Sequence, residues 1–194
     1  MKKLLTLAVA ALFVMSASAQ LYVGGSLGLG FGSVKNDNGD KLYSTTTFSL
    51  FPEIGYSLSE KMDLGISFGF GMTSLKPDGG DALKTNAWEV APYLRYSLVE
   101  FGKFKVMAKA SLYVAGDETI DEVKTTSFGL SVIPVLGYGL SDNFILLANL
   151  NCFGLGVDNT KVKDGNSTFG LGLGANTNNV LNTGDFTIGF AYIF

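Results

Sequence analysis

The sequence predicts an all-β fold: an eight-stranded antiparallel up-and-down transmembrane β-barrel, preceded by a cleaved signal peptide. Three observations support this fold. Large apolar residues alternate with small or polar ones through most of the chain, which is the pattern of two-sided strands. A pattern of proline, tyrosine and leucine recurs at intervals of 40 and 42 residues. The last stretch, 186–194, is an aromatic-rich alternating segment that ends on Phe194.

The first 19 residues have the organisation of a signal peptide. Lys2 and Lys3 precede an apolar run from Leu4 to Met15, and Ser16 to Ala19 supply small residues for cleavage. The apolar run is too short for a spanning helix, which needs about 20 residues. We therefore expect cleavage after Ala19, leaving a barrel domain of residues 20–194. Because the removed segment carries two lysines and no acid, the formal net charge moves from −3 to −5.

The composition fits one exported domain. The only cysteine, Cys152, cannot form an internal disulfide, and we interpret it as a small hydrophobe. The chain holds 25 glycines, 15 phenylalanines and 8 tyrosines, which suits strands with small inward positions. The acidic balance, with no basic cluster, excludes nucleic acid as an expected partner.

The strands follow from the alternation, taken in chain order. We predict them at 20–33, 47–58, 63–73, 87–98, 104–115, 125–140, 144–156 and 186–194. In the seventh, the face of Leu146, Ala148, Leu150 and Cys152 is assigned to lipid, which leaves Leu147 and Leu155 facing inward. Residues 168–177 also alternate, and we interpret them as an extension above the membrane or as part of a long, interrupted eighth strand.

Polar segments separate the strands. Those at 34–46, 74–86, 116–124 and 157–183 are predicted to be long loops, and those at 59–61, 99–103 and 141–143 short connections. The two classes alternate along the chain. Long loops therefore lie at one rim and short turns at the other, as in single-chain bacterial barrels.

An internal repeat supports the same parse. Proline, tyrosine and leucine recur at Pro52-x3-Tyr56-x-Leu58, Pro92-x3-Tyr96-x-Leu98 and Pro134-x3-Tyr138-x-Leu140, and Tyr192 takes the equivalent place in the last strand. Even-numbered strands then run toward one rim, where Tyr56, Tyr96, Tyr138 and Tyr192 form an interfacial aromatic girdle. The three prolines each remove a ladder donor, so we expect bulges or non-bonded positions there.

Charged residues occur on the faces assigned to the lumen. They are Glu53, Asp63, Glu89, Arg95, Lys105 and Lys109. Charges in a narrow interior stay ionised only when they are paired, so we expect cross-lumen pairs such as Glu53 or Glu89 with Arg95 or Lys109. An eight-stranded interior is only wide enough for side chains, which favours a plug over a gated polar pore.

No residue pattern supports catalysis, a cofactor or a metal. Histidine is absent, which removes the usual general base. The acidic stretch 37–40 lacks the ligand spacing of a calcium loop. The sequence therefore predicts no enzyme, no cofactor and no metal site.

The C-terminal stretch resembles the assembly signal of bacterial outer-membrane β-barrels. Phe186, Ile188, Phe190, Tyr192 and Phe194 alternate on one face and end in the terminal phenylalanine that such signals carry. With the signal peptide and the proline-tyrosine-leucine repeat, the chain resembles the small outer-membrane barrel family related to the OmpA transmembrane domain and OmpX, often labelled "porin family" or "outer membrane protein beta-barrel domain". The resemblance implies localisation in the bacterial outer membrane, contact with its lipid and insertion by the barrel-assembly machinery. Unlike full OmpA, the protein is expected to lack a C-terminal peptidoglycan-binding domain, and we expect a monomer.

Three functions remain open from the sequence. The first is a non-enzymatic membrane barrel whose loops, mainly 34–46, 74–86 and 157–183, make surface contacts with an unknown partner or stabilise the envelope. The second is a narrow diffusion pore for ions or small solutes. The third is a secreted, lipocalin-like ligand-binding barrel, in which the apolar faces would point inward.

Overall fold

The computed structural model describes residues 20–36, 38–119, 124–151, 154–162, 167–174 and 186–194. The predicted signal peptide, its cleavage site and Cys152 lie outside these ranges. In the described ranges, no helix is long and apolar enough to cross a membrane.

The described elements are ten strand segments joined in antiparallel order. They are β1 Gln20–Lys35, β2 Lys41–Ser59, β3 Met62–Pro77, β4 Leu83–Phe101, β5 Phe104–Thr119, β6 Lys124–Gly139, β7 Phe144–Asn149, β8 Gly154–Val162, β9 Ser167–Gly174 and β10 Thr187–Ile193. Strands β1 to β7 pair consecutively, β7 pairs with β10, and β10 pairs with β1. This ring closes an eight-stranded barrel, which confirms the predicted fold.

The seventh and eighth barrel strands each consist of two segments. Both β7 and β8 pair with β6, and β9 pairs with β8 whereas β10 pairs with β7. Residues 168–174 lie in β9, which pairs with β8 and is separate from β10, as the interpretation of an interrupted eighth strand predicts. Residues 175–177 lie outside the described ranges.

The break in the seventh strand reverses one predicted face. Asn149 lies opposite Val135, and Leu155 lies opposite Val132. The seventh strand therefore advances by six residues where its partner β6 advances by three. Because side chains alternate with a period of two, an odd shift exchanges the two faces. Leu147 is inside and 5% exposed, but Leu155 is outside and 51% exposed. The prediction that both face inward is therefore wrong for Leu155.

The apolar face of the alternation points outward. Phe68, Leu94, Leu112 and Phe190 lie on the outer wall and are 39 to 61% exposed. The interior instead holds small and polar residues together with a few large ones. A soluble lipocalin-like barrel needs the opposite arrangement, so that alternative is wrong.

The strands continue past the apolar band into segments predicted to be loops. The β1–β2 ladder runs to Lys35 opposite Lys41, and the β3–β4 ladder to Leu75 opposite Leu83. The predicted loops 34–46 and 74–86 are therefore mostly strand, and the same holds for much of 116–124 and 157–183. Backbone pairing does not require an apolar side chain, and β-branched residues such as Thr45 to Thr47 favour strands. The alternation marks the lipid-facing band rather than the strand ends.

Each of the three prolines sits beside a gap in one ladder. The β2–β3 pairing omits positions 51 and 52, and the β4–β5 pairing omits 91 and 92. Pro134 lies where β6 changes partner, after its pairing with β8 ends at Val132 and before its pairing with β7 begins at Val135. These are positions at which a missing N–H removes no ladder bond on that side.

Two inward glycines make room for aromatic rings inside the barrel. A Cβ at Gly65 would lie 2.6 Å from the Tyr22 hydroxyl oxygen and 2.7 Å from Cζ of Tyr93. A Cβ at Gly55 would contact the same Tyr22 hydroxyl and the carbonyl oxygen of Leu64. The lack of a side chain at Gly55 on β2 and at Gly65 on β3 is thus what leaves room for the rings of Tyr22 and Tyr93.

We predict that Gly65→Ala destabilises the barrel by about 1 to 3 kcal/mol, because the added methyl overlaps two buried rings. The free energy of unfolding in urea, with the protein in lipid vesicles, measures the effect. Gly32→Ala is the matched control, since the nearest atom to its Cβ is 3.9 Å away, at Thr45. Equal stabilities of the two variants would contradict this account of Gly65.

Candidate functional site

A cluster of ionised side chains occupies the centre of the lumen, with Arg95 in the middle. Arg95 donates from Nε to Oδ2 of Asp63 at 2.9 Å, and from one terminal nitrogen to Oε1 of Glu53 at 3.2 Å. Its side chain is 4% exposed. The β3–β4 register accounts for the first pair, because Asp63 lies directly opposite Arg95.

The fourth charge reaches Glu53 across the barrel. Lys109 neighbours Arg95 on β5 and donates from Nζ to Oε2 of Glu53 at 3.3 Å. Since β3 and β4 separate β2 from β5 in the ring, this ion pair spans the lumen. Glu53 thus binds one cation with each carboxylate oxygen, and the four residues form one network of two acids and two bases.

Two tyrosines complete the cluster. The hydroxyls of Tyr22 and Tyr93 lie 2.7 Å apart and hydrogen-bond each other, and both residues are almost fully buried. The guanidinium carbon of Arg95 lies 5.3 Å from the Tyr22 ring centroid and 5.7 Å from that of Tyr93, and Lys109 Nζ lies 4.0 Å from the Tyr93 centroid. Cation–π contacts of this kind gain strength when they are desolvated. Charged and aromatic groups therefore pack as one unit.

Sequence reasoning missed these two tyrosines as members of the cluster. Alternation places both on the inward face, but does not show that rings from β1 and β4 meet. The signal that could have identified them is the pair of inward glycines on the strands between them, Gly55 and Gly65.

The remaining predicted lumen charges lie apart from the centre. Lys105 pairs with Glu100 at 3.3 Å, and both side chains are partly exposed near the short turns. Glu89 is buried on the inward face of β4, six residues before Arg95. The structure therefore brings four of the six predicted residues into one network.

The predicted girdle residues lie at the rim that carries the short turns. Tyr56, Tyr96 and Tyr192 are exposed on the outer wall, whereas Tyr138 is half-buried against Phe104, with ring centroids 4.7 Å apart. The residues of the C-terminal stretch also face outward. They are Phe186, Ile188, Phe190, Tyr192 and Phe194. Phe190 stacks on Phe144 of the neighbouring strand, with centroids 5.6 Å apart.

Within the described ranges, no three His, Cys, Asp or Glu side chains converge as metal ligands would.

The family model described as "Outer membrane protein beta-barrel domain" matches residues 4–194. Among solved structures, the chain is similar to the neisserial surface protein A, with 18% identity, a TM-score of 0.45 and coverage of 91% of this chain and 99% of that one. It is also similar to a major outer membrane protein of Thermus thermophilus, with 15% identity, a TM-score of 0.40 and coverage of 90% and 99%. No curated protein matches the chain in sequence.

We predict that Glu53→Gln destabilises the barrel by about 3 kcal/mol or more, because it leaves the buried charges of Arg95 and Lys109 without their shared partner. Urea unfolding of the vesicle-bound protein measures the change. Glu118→Gln is the control: Glu118 pairs with Lys124 at the surface, where both side chains are more than half exposed, and its loss should cost less than about 1 kcal/mol. If Glu53→Gln were as stable as Glu118→Gln, the result would show that the central network does not stabilise the barrel.

Proposed function

The chain belongs to the outer membrane protein beta-barrel domain family, and we propose that it is a non-enzymatic barrel of the bacterial outer membrane with a sealed lumen and contact-forming loops. The loops at the rim opposite the short turns face the outside of the cell. There they contact a surface partner or stabilise the envelope.

The central network carries the proposal of a sealed lumen. Glu53 and Lys109 join strands three places apart in the ring, β2 and β5, and Arg95 and the two tyrosine rings pack beside them. An eight-stranded barrel has little interior beyond the volume of its own side chains. A polar plug of this kind supports a structural role for the lumen and favours the loops as the functional surface.

The proposed orientation rests on the two rims. Short connections at 60–61, 102–103 and 140–143 share one rim with the exposed tyrosines, as periplasmic turns do. The other rim carries long hairpins that extend past the apolar band and turn at Gly39 and Gly79, both with positive φ. We therefore assign this rim to the cell surface.

The absence of histidine supports a non-enzymatic role, because hydrolytic membrane barrels commonly rely on a histidine base. We further propose that export removes residues 1–19, that the barrel-assembly machinery recognises the C-terminal strand, and that the protein is a monomer in outer-membrane lipid. Intact mass measured on protein from the outer-membrane fraction tests the cleavage after Ala19.

An epitope inserted between Gly79 and Gly80 should bind antibody on intact cells, because this hairpin apex lies at the proposed outer rim. An identical epitope between Gly102 and Lys103, in a turn of the opposite rim, is the control and should bind only after the outer membrane is permeabilised. Flow cytometry before and after permeabilisation measures both. The reverse pattern would invert the proposed orientation.

A narrow pore is the second candidate, and one observation favours it. A cavity extends from the short-turn rim to Arg95, so the central network is the constriction that closes this half of the lumen. The rings of Tyr22 and Tyr93, which pack against Arg95 and Lys109, are part of this constriction, so their removal connects the two sides.

In planar-bilayer recordings, we expect the wild-type protein to show no discrete conductance steps, because the network and the two rings block the passage. The double variant Tyr22→Ala/Tyr93→Ala removes both rings and should produce steps. Steps of equal size from the wild type would support the pore instead. The outward variant Leu94→Ala is the control for effects of mutation on insertion.

A further inference from the structure

The half of the lumen nearest the short turns contains a cavity of about 710 Å³. It ends at Tyr22 and Arg95, where the central network blocks it, and it extends toward the rim at Gln20 and Glu60. Its volume lies within the range of about 300 to 1,000 Å³ typical of sites for small molecules. The cavity is thus a blind vestibule of ligand size.

The vestibule has two unlike walls. One is apolar and comes from β5, β7 and β10, with Met107, Leu147 and Ala191 buried and Ile145 and Ile193 packed against them. The other is polar and comes from β2, β3 and β4, with Ser57, Asp63 and Ser97 among its residues. A ligand that fits both walls has an apolar body and a polar head.

The charged residues that line the vestibule indicate the sign of that head. Glu60, Asp63 and Glu100 line the vestibule against Arg95 and Lys105, an excess of one acid. The donors of Arg95 are also engaged, since Nε binds Asp63 and a terminal nitrogen binds Glu53. Asp63 is the more accessible member of its pair, with a side chain 22% exposed against 4% for Arg95. A ligand at the blind end therefore meets a carboxylate before it meets a guanidinium.

We propose that the vestibule binds a small amphipathic cation, namely an organic ammonium with a short alkyl or aryl tail. The ammonium lies near Asp63 and Ser57, whose hydroxyl donates to Oδ1 of Asp63 at 2.8 Å. The tail lies against Met107, Ile145 and Leu147.

The test is isothermal titration of the mature barrel in lipid nanodiscs with hexylammonium at neutral pH. Empty nanodiscs give the background from partitioning into lipid. Hexanoate has a similar tail with the opposite charge and is the matched probe. We expect saturable binding of hexylammonium, with an affinity at least about tenfold above that of hexanoate, because the charge of the head is reversed in a partly desolvated acidic site.

Two variants should shift the affinity for hexylammonium in opposite directions. Asp63→Asn should weaken binding about fivefold, and Lys105→Gln should strengthen it about threefold by removing a like charge from the wall. Lys103→Gln is the control, because Lys103 lies exposed in the adjacent turn outside the vestibule and carries the same charge. Lys105 is partly exposed at the rim, so its variant remains informative even if Asp63→Asn fails to fold.

Absence of a saturable component for hexylammonium overturns the proposal. Equal affinities for the two probes also overturn it, because they would show an apolar pocket without charge selection. The same holds if Lys105→Gln and Lys103→Gln change the affinity equally. The heat-modifiable gel mobility of each variant establishes that the barrel under test is folded.

Discussion

Closure of the backbone ladder is the constraint on which the rest of this structure depends. In the hydrocarbon of a bilayer no water is present to satisfy a free N–H or C=O, so a sheet that spans it must have no open edge there. The pairing of β10 with β1, from Tyr22 opposite Ile193 to Leu27 opposite Ile188, is the contact that turns a row of hairpins into a ring. Once the ring has eight strands, its interior is narrow and the side chains that fill it are limited in size and number.

The narrow interior explains why the central cluster combines charge with aromatic rings. An isolated ion there would bear a large desolvation cost, whereas four ions of alternating sign compensate one another when each has a partner. The rings of Tyr22 and Tyr93 supply volume that ion pairs lack, and their faces attract the cations beside them. Glycines at 55 and 65 are needed because no other residue leaves room for those rings. The paired charges, the two tyrosine rings and the two glycines therefore act together to fill a narrow polar interior.

The sequence was sufficient for the architecture because alternation is a property of each strand alone. Phe68 and Leu94 could be assigned to the outer wall without any knowledge of their neighbours, and so could the inward position of Arg95. Features that depend on two strands together could not be assigned in this way. The register shift that turns Leu155 outward depends on the separate pairings of β7 and β8 with β6. The strands also extend beyond the apolar band, because backbone pairing there requires no apolar side chains and so leaves no pattern in the sequence. For the same reason, alternation puts Tyr22 and Tyr93 on the inward face but does not show that they are partners, since their contact depends on the neighbouring strands that join β1 to β4.

The half of the lumen nearest the short turns holds a cavity that the central cluster bounds. Near the short turns, β5, β7 and β10 contribute Met107, Leu147 and Ala191, which leave a cavity beside them. At mid-height, Arg95, Tyr22 and Tyr93 converge and close it. Asp63 belongs to both regions: one of its oxygens accepts the hydrogen bond from Arg95 and the other the bond from Ser57, a residue that also lines the cavity. The Arg95–Asp63 pair thereby also fixes a carboxylate at the end of the vestibule. If the proposed ammonium binds there, it competes with Arg95 for Asp63, and its binding is then energetically coupled to the Arg95–Asp63 ion pair.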